Sequence, residues 1–142
     1  MAIWVERHVI HSSDPLYKGL LEDANAGTRL YNRAICVLRD AFTGNHENIP
    51  EYADLIRKGR FVSYEDMVKR MAKLKEPTYN AIKAKVSQKV VKEACNAFLD
   101  YFAALRSYNA NPKRFTGKPE MPDTKDDNSY RTLTYDYQAA KL

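Results

Sequence analysis

Apolar and polar residues alternate over residues 2–10, with Ile3, Val5, Arg7 and Val9 on one side and Trp4, Glu6, His8 and Ile10 on the other. A period of two rich in Val, Ile and Trp predicts a strand. Ser12-Ser13-Asp14-Pro15 breaks it and offers helix-starting chemistry, with Pro15 suited to a first turn. Over residues 16–42 the period changes to steps of three and four, through Leu20, Ala24, Gly27, Tyr31, Ala34 with Ile35, Leu38 and Phe42. That spacing predicts one helix with one buried stripe. Gly27 lies inside it, where glycine costs roughly 1 kcal/mol against alanine, so close packing is expected there. Thr43-Gly44-Asn45 ends the helix.

Residues 45–62 read as irregular, punctuated by Pro50 and Gly59. Ser63 and Asp66 then form a capping-box pattern, with Val62 and Met67 placed to staple across it. Met67, Met71 and Leu74 predict a short amphipathic helix, and Pro77 interrupts it. The last helical block, residues 79–107, carries Ile82, Val86, Val90 with Val91, Ala94, Phe98, Tyr101 with Phe102, and Leu105. Val86-Ser87-Gln88 predicts a break in this block, with Ser87 capping the longer part. Residues 109–128 are rich in Pro, Gly, Asn, Lys and Asp, with almost nothing apolar to anchor them. Residues 129–137 alternate again and are dense in β-formers, which predicts a second strand.

The expected fold is mainly α. Three amphipathic helices can bury their stripes only against one another. Two strands, one near each end, cannot make a stable sheet alone, so further sequence or another chain would complete it. The expected organisation is a strand segment over 1–12, a helical lobe over 13–107, and a basic loop with the second strand over 108–142.

Composition narrows the partners less than the pattern narrows the fold. Of 142 residues, 44% are hydrophobic, enough for a core. Lys and Arg exceed Asp and Glu by 23 to 18, a net charge of +5, which suits a nucleic acid, a membrane surface or an acidic protein. Cys36 and Cys95 sit far apart in apolar helical patterns and read as small buried residues of a reducing compartment. Without a Cys-x-x-Cys pair, no zinc ribbon forms within the chain. No secretory pattern and no run of about 18 apolar residues occurs, so the expected location is cytoplasmic and no membrane partner is expected.

Candidate chemistry concentrates on the last helix. Lys85, Lys89 and Lys92 follow helical steps, Lys83 lies close by, and Gln88 shares the neighbourhood. Such a row can track a phosphate backbone while the amide reads an adenine edge; the competing reading is a solvated face laced with Glu93. Arg114, Lys118, Lys125 and Arg131, interleaved with Tyr108, Phe115 and Tyr130, would suit unstacked bases. Asp123, Asp126 and Asp127 weaken the field there, and the competing reading is a polar linker. The same trio lacks a scaffold to fix a metal. His8, His11 and His46 pair with no Cys or nucleophile, and no Gly-rich phosphate loop, Ser-His-Asp set or H-E-x-x-H occurs. No catalytic or metal-binding residue is expected in this chain.

The order of these blocks resembles the N-terminal region of the TnpB (OrfB) family, insertion-sequence proteins related to the type V CRISPR effectors. The similarity is carried by Tyr31-Asn32-Arg33-Ala34, Ser63-Tyr64, Leu74-Lys75-Glu76-Pro77, Ser87-Gln88, Ala94 through Phe102, Gly117-Lys118-Pro119 and Ser129-Tyr130-Arg131-Thr132. The chain departs from the family pattern at Glu120-Met121 and in the acidity of the loop through Asp126-Asp127. The resemblance implies that the end strands belong to a wedge-type β-barrel and that the helices form a recognition lobe inserted between them. It implies guide RNA and target DNA as partners, with the remainder of the nuclease or a second copy completing the sheet. It places Tyr64, Lys83, Lys85, Gln88 and the neighbouring Lys92 on the duplex flanking the target, joined by Tyr135 and Asp136. Arg131 would contact nucleic acid or, with Tyr130, support the wedge sheet. The Mg²⁺-dependent RuvC-like nuclease and its zinc ribbon would lie in another part of the parent protein, leaving no cofactor in this chain. The alternative is a free-standing helical DNA-binding or interaction module that closes its sheet by dimerising.

Overall fold

The computed structural model describes residues 9–134. The first expected strand therefore lies almost wholly outside the described residues, as does the end of the second. Within them the chain forms α1 (Tyr17–Thr43), α2 (Tyr64–Leu74), α3 (Pro77–Asn80) and α4 (Ala84–Ala110), with short 3-10 turns at His46–Asn48, Ala53–Leu55 and Pro112–Arg114. The mainly helical expectation holds; no strand occurs among the described residues, where the only β-pairing is an isolated bridge between Arg57 and Phe61.

α1 and α4, each of 27 residues, are the principal pair. α1 ends at Gly44, whose φ of 84° is left-handed and whose N–H donates to the Asp40 carbonyl. Only a residue without Cβ adopts that conformation at low cost, so the expected stop is the observed one. At the other end, Asp14 accepts the Leu16 N–H through its carboxylate and Pro15 stays in the preceding turn, ahead of the helix.

The expected stripe of α1 is buried at Gly27, Tyr31, Ala34, Ile35 and Leu38, but a second row at Leu30, Val37 and Ala41 is buried as well. The reason is the segment over 45–62. Although irregular, it sends Ile49, Tyr52 and Val62 fully into the core, so α1 is covered on two sides. Burying the Tyr52 ring leaves its hydroxyl to be satisfied, and it donates to Glu76 Oε1 at 3.0 Å, a carboxylate that Arg33 also engages.

α2 starts as its sequence demands. Ser63 Oγ accepts the Asp66 N–H at 3.3 Å, and Val62 and Met67 are both fully buried. Met71 is buried too, but Leu74, expected in the stripe, is 41% exposed because the helix stops there and Lys75 turns left-handed. Ser63→Ala should leave the Asp66 N–H without its acceptor and cost about 1 kcal/mol in urea unfolding, with the far-UV spectrum of the folded state unchanged.

The expected break in the last helical block lies one turn earlier than Ser87. α3 ends at Asn80, Lys83 is the N-cap of α4, and Ser87 sits inside α4 with its Oγ donating to the Tyr79 carbonyl at 2.6 Å. The serine thus ties the end of α3 to the first turn of α4 and caps neither, and the three expected helices become four. Below this joint the stripe behaves as read: Ile82, Val86, Val90, Val91, Ala94 and Phe98 are buried. Phe98 meets Tyr101 and Phe102 at ring separations of 6.3 and 6.0 Å, and Phe42 and Phe61 close the cluster from α1 and the irregular segment.

After α4 the chain folds back along α1 as a strap. Met121 and Leu133 pack against the core, so the segment is anchored by more apolar contact than its composition suggests. Asn32 grips the main chain at Lys125, donating Nδ2–H to its carbonyl at 2.7 Å and accepting its N–H at 2.8 Å. Asn32 also donates to Asp127 Oδ1, and Asn25 donates to the carbonyls of Asp127 and Ser129. Exposure alternates from 129 to 134, with Ser129, Arg131 and Leu133 turned inward. The period of two is real, but its partner is a helix. Gly27 explains how it fits: a Cβ there would lie 2.6 Å from Leu133 Cδ2.

Candidate nucleic-acid interface

α4 buries the face bearing Val86, Val90, Ala94 and Phe98, which leaves the opposite face to solvent. Lys85, Lys89, Lys92, Asn96 and Leu99 are all exposed there, at helical steps of four, three, four and three. Lys85 to Lys92 spans roughly 10 Å at 1.5 Å per residue. The row is rigidly based, because α4 is packed by α1, α2 and α3 on its other side. Lys83 is exposed at the N-cap, and Gln88 is half-buried at the flank of the row.

Tyr64 reaches this face from the first residue of α2. Lys92 Nζ lies 5.9 Å from the centre of its ring, within cation–π range. Burial, with Tyr79 and Glu65 nearby, raises the Tyr64 phenol above its ordinary value, so it stays a neutral donor at physiological pH. A groove of about 320 Å³ opens here between α2 and α4, lined by Ser63, Tyr64, Glu65, Lys92, Asn96 and Leu99 among others. Cys95 forms part of its floor, and burial, then Glu65, pushes its thiol up to about 12. That is the behaviour of a small apolar residue, not of a nucleophile.

The expected site residues thus divide into two groups. Tyr64, Lys85, Gln88 and Lys92 come together along one side of α4, with Lys83 at its start. Arg131 lies apart. Its guanidinium carbon is 3.9 Å from the centre of the Tyr31 ring, its Nε donates to Glu93 Oε2 at 3.1 Å, and its Nη2 pairs with the same oxygen. Tyr135 and Asp136 fall outside the described residues. Tyr130 is 62% exposed and borders a cleft of about 620 Å³ with Glu93, Lys125 and Arg131.

The acidic trio has structural employment. Asp123 pairs with Arg39 at 3.2 Å, Asp126 accepts the Asn128 N–H, and Asp127 accepts from Asn32. What sequence reasoning missed is the reciprocal fit of two motifs: Tyr31-Asn32 on α1 is the dock, and the strap through Ser129-Tyr130-Arg131 is what docks. Both were visible as strings, but they stand some 97 to 100 residues apart and no local pattern joins them. Among the described residues no helix is long and apolar enough to cross a membrane. Comparison with family models, curated proteins and solved structures finds no match to this chain.

Proposed function

We propose that this chain is a nucleic-acid-binding recognition module similar to the N-terminal part of a TnpB-like RNA-guided DNA endonuclease. The observation that carries the reading is the row of Lys85, Lys89 and Lys92 on the solvent face of a helix whose other side is locked in the core. Cations carried at regular intervals along a packed helix suit a phosphate backbone, and Gln88 beside them supplies a bidentate amide for a base edge. Tyr64, neutral and partly covered, adds a planar group at the end of the row. Guide RNA and target DNA are the partners this chemistry fits, and base pairing to the guide would read most of the sequence while the protein reads a short flanking motif. Cleavage would belong to a Mg²⁺-dependent domain in another part of the parent protein.

The test is fluorescence anisotropy of the 142-residue chain with a labelled duplex between about 50 and 200 mM salt. Affinity should fall steeply with salt, and replacing Lys85, Lys89 and Lys92 by glutamine should reduce the log–log slope by roughly two to three. Gln88→Ala should weaken binding on the order of tenfold at one base pair of a substituted duplex panel. Affinity that stays flat with salt, or a slope indifferent to the three lysines, sinks the reading.

A further inference from the structure

We infer that Arg131 serves nucleic-acid binding indirectly, by holding the Glu93 carboxylate away from the lysine row on α4, and does not itself contact a phosphate. The inference rests on the function just proposed and assigns a positioning residue within it.

Glu93 follows Lys92 directly and stands four residues after Lys89. Side chains four apart on a helix meet, so an untethered Glu93 would pair with Lys89 and subtract a charge from the row. It would also repel an incoming phosphate. The structure gives this carboxylate another partner. Arg131 engages Glu93 Oε2 through Nε at 3.1 Å and again through Nη2.

Arg131 is built to hold that position. Its main-chain N–H donates to the Ala24 carbonyl at 3.1 Å, and its guanidinium carbon lies 3.9 Å from the Tyr31 ring centre. Its side chain is 21% exposed against 44% for Glu93. Two of its five N–H donors are held on the carboxylate and one face lies on the ring, so a phosphate would have to compete with both partners. The strap has already ordered the side chain, so masking Glu93 carries little of the entropy that weakens ordinary surface pairs.

The experiment compares the full chain with Arg131→Gln, Glu93→Gln and the double variant, using the same labelled duplex at about 100 mM salt. Arg131→Gln should weaken binding roughly fivefold, the scale of one exposed charge in water. The double variant should bind as Glu93→Gln does, because nothing is left to mask. An Arg131→Gln loss that persists at full size in the Glu93→Gln background would mean direct contact or strap damage, and overturns the inference. Should Arg131→Gln fail to fold, Glu93→Gln alone decides. With masking in place it should change affinity by less than about twofold, and a gain of fivefold or more would show an unmasked carboxylate. The lysine triple variant reports separately on the proposed function. If it leaves the salt slope untouched, both ideas fall; if it lowers the slope while the double variant shows no rescue, only the role of Arg131 does.

Discussion

Replacing Phe98 with alanine is expected to cost about 3–5 kcal/mol, the range for emptying a large aromatic site in a packed core. Phe98 is fully buried on α4 and meets the rings of Tyr101 and Phe102 edge-on. The site has little freedom to collapse. Phe42 and Phe61 reach the same cluster from α1 and from the segment before α2, so closing the void would shift three elements together. A domain of this size is typically stable by about 5–15 kcal/mol, which makes the loss a large share of the total. Urea unfolding should show a lower midpoint with the slope preserved, because the surface exposed on unfolding barely changes. Phe98→Leu keeps most of the volume and should recover more than half of the loss. Equal losses for both variants would mean that ring geometry, not filling, stabilises the cluster.

How this core forms was largely legible from the chain. The stripes of α1 and α4, the Gly44 stop and the Ser63 cap are local patterns, set by contacts three or four residues apart, and each predicted an element that is present. What escaped had a common cause in distance. Ile49 and Tyr52 lie in a segment without periodicity, so only the three-dimensional fit reveals them as core. Ser87 reads as a cap because serine satisfies backbone groups, and it does satisfy one, but across the joint to Tyr79. The alternation over 129–134 reads as a strand because sheets impose that period. A strap lying against a helix imposes it equally, as Arg131 and Leu133 show. For the candidate interface, the lysine row was legible through its steps on one face, whereas the internal use of Arg131 depends on Tyr31 and Glu93, 100 and 38 residues away.

Asn32→Leu should uncouple the strap from α1 and cost about 2–3 kcal/mol, since it deletes three hydrogen bonds at a buried amide and leaves polar groups of Lys125 and Asp127 facing an apolar surface. Leucine keeps the Cγ branching and the number of side-chain heavy atoms of asparagine and is the bulkier of the two, so the change removes polarity without opening a hole. An amide suits the position because its N–H and C=O lie side by side and serve the carbonyl and N–H of one main-chain residue, as a neighbouring strand would. Hydrogen exchange should localise the effect. The Lys125 amide, which donates to Asn32 Oδ1, should exchange much faster, while amides in the middle of α4 should follow only the global change in stability. Gly27 sharpens the expectation, since the bare turn it leaves on α1 accepts Leu133 only while the strap is seated. On the proposed masking role, a lifted strap would carry Arg131 away and free Glu93 to pair with Lys89. Asn32→Leu should therefore also weaken duplex binding, although Asn32 lies on α1 and not on the lysine face. Glu93→Gln should restore that binding without restoring the lost stability, which would separate the electrostatic role of the strap from its part in the fold.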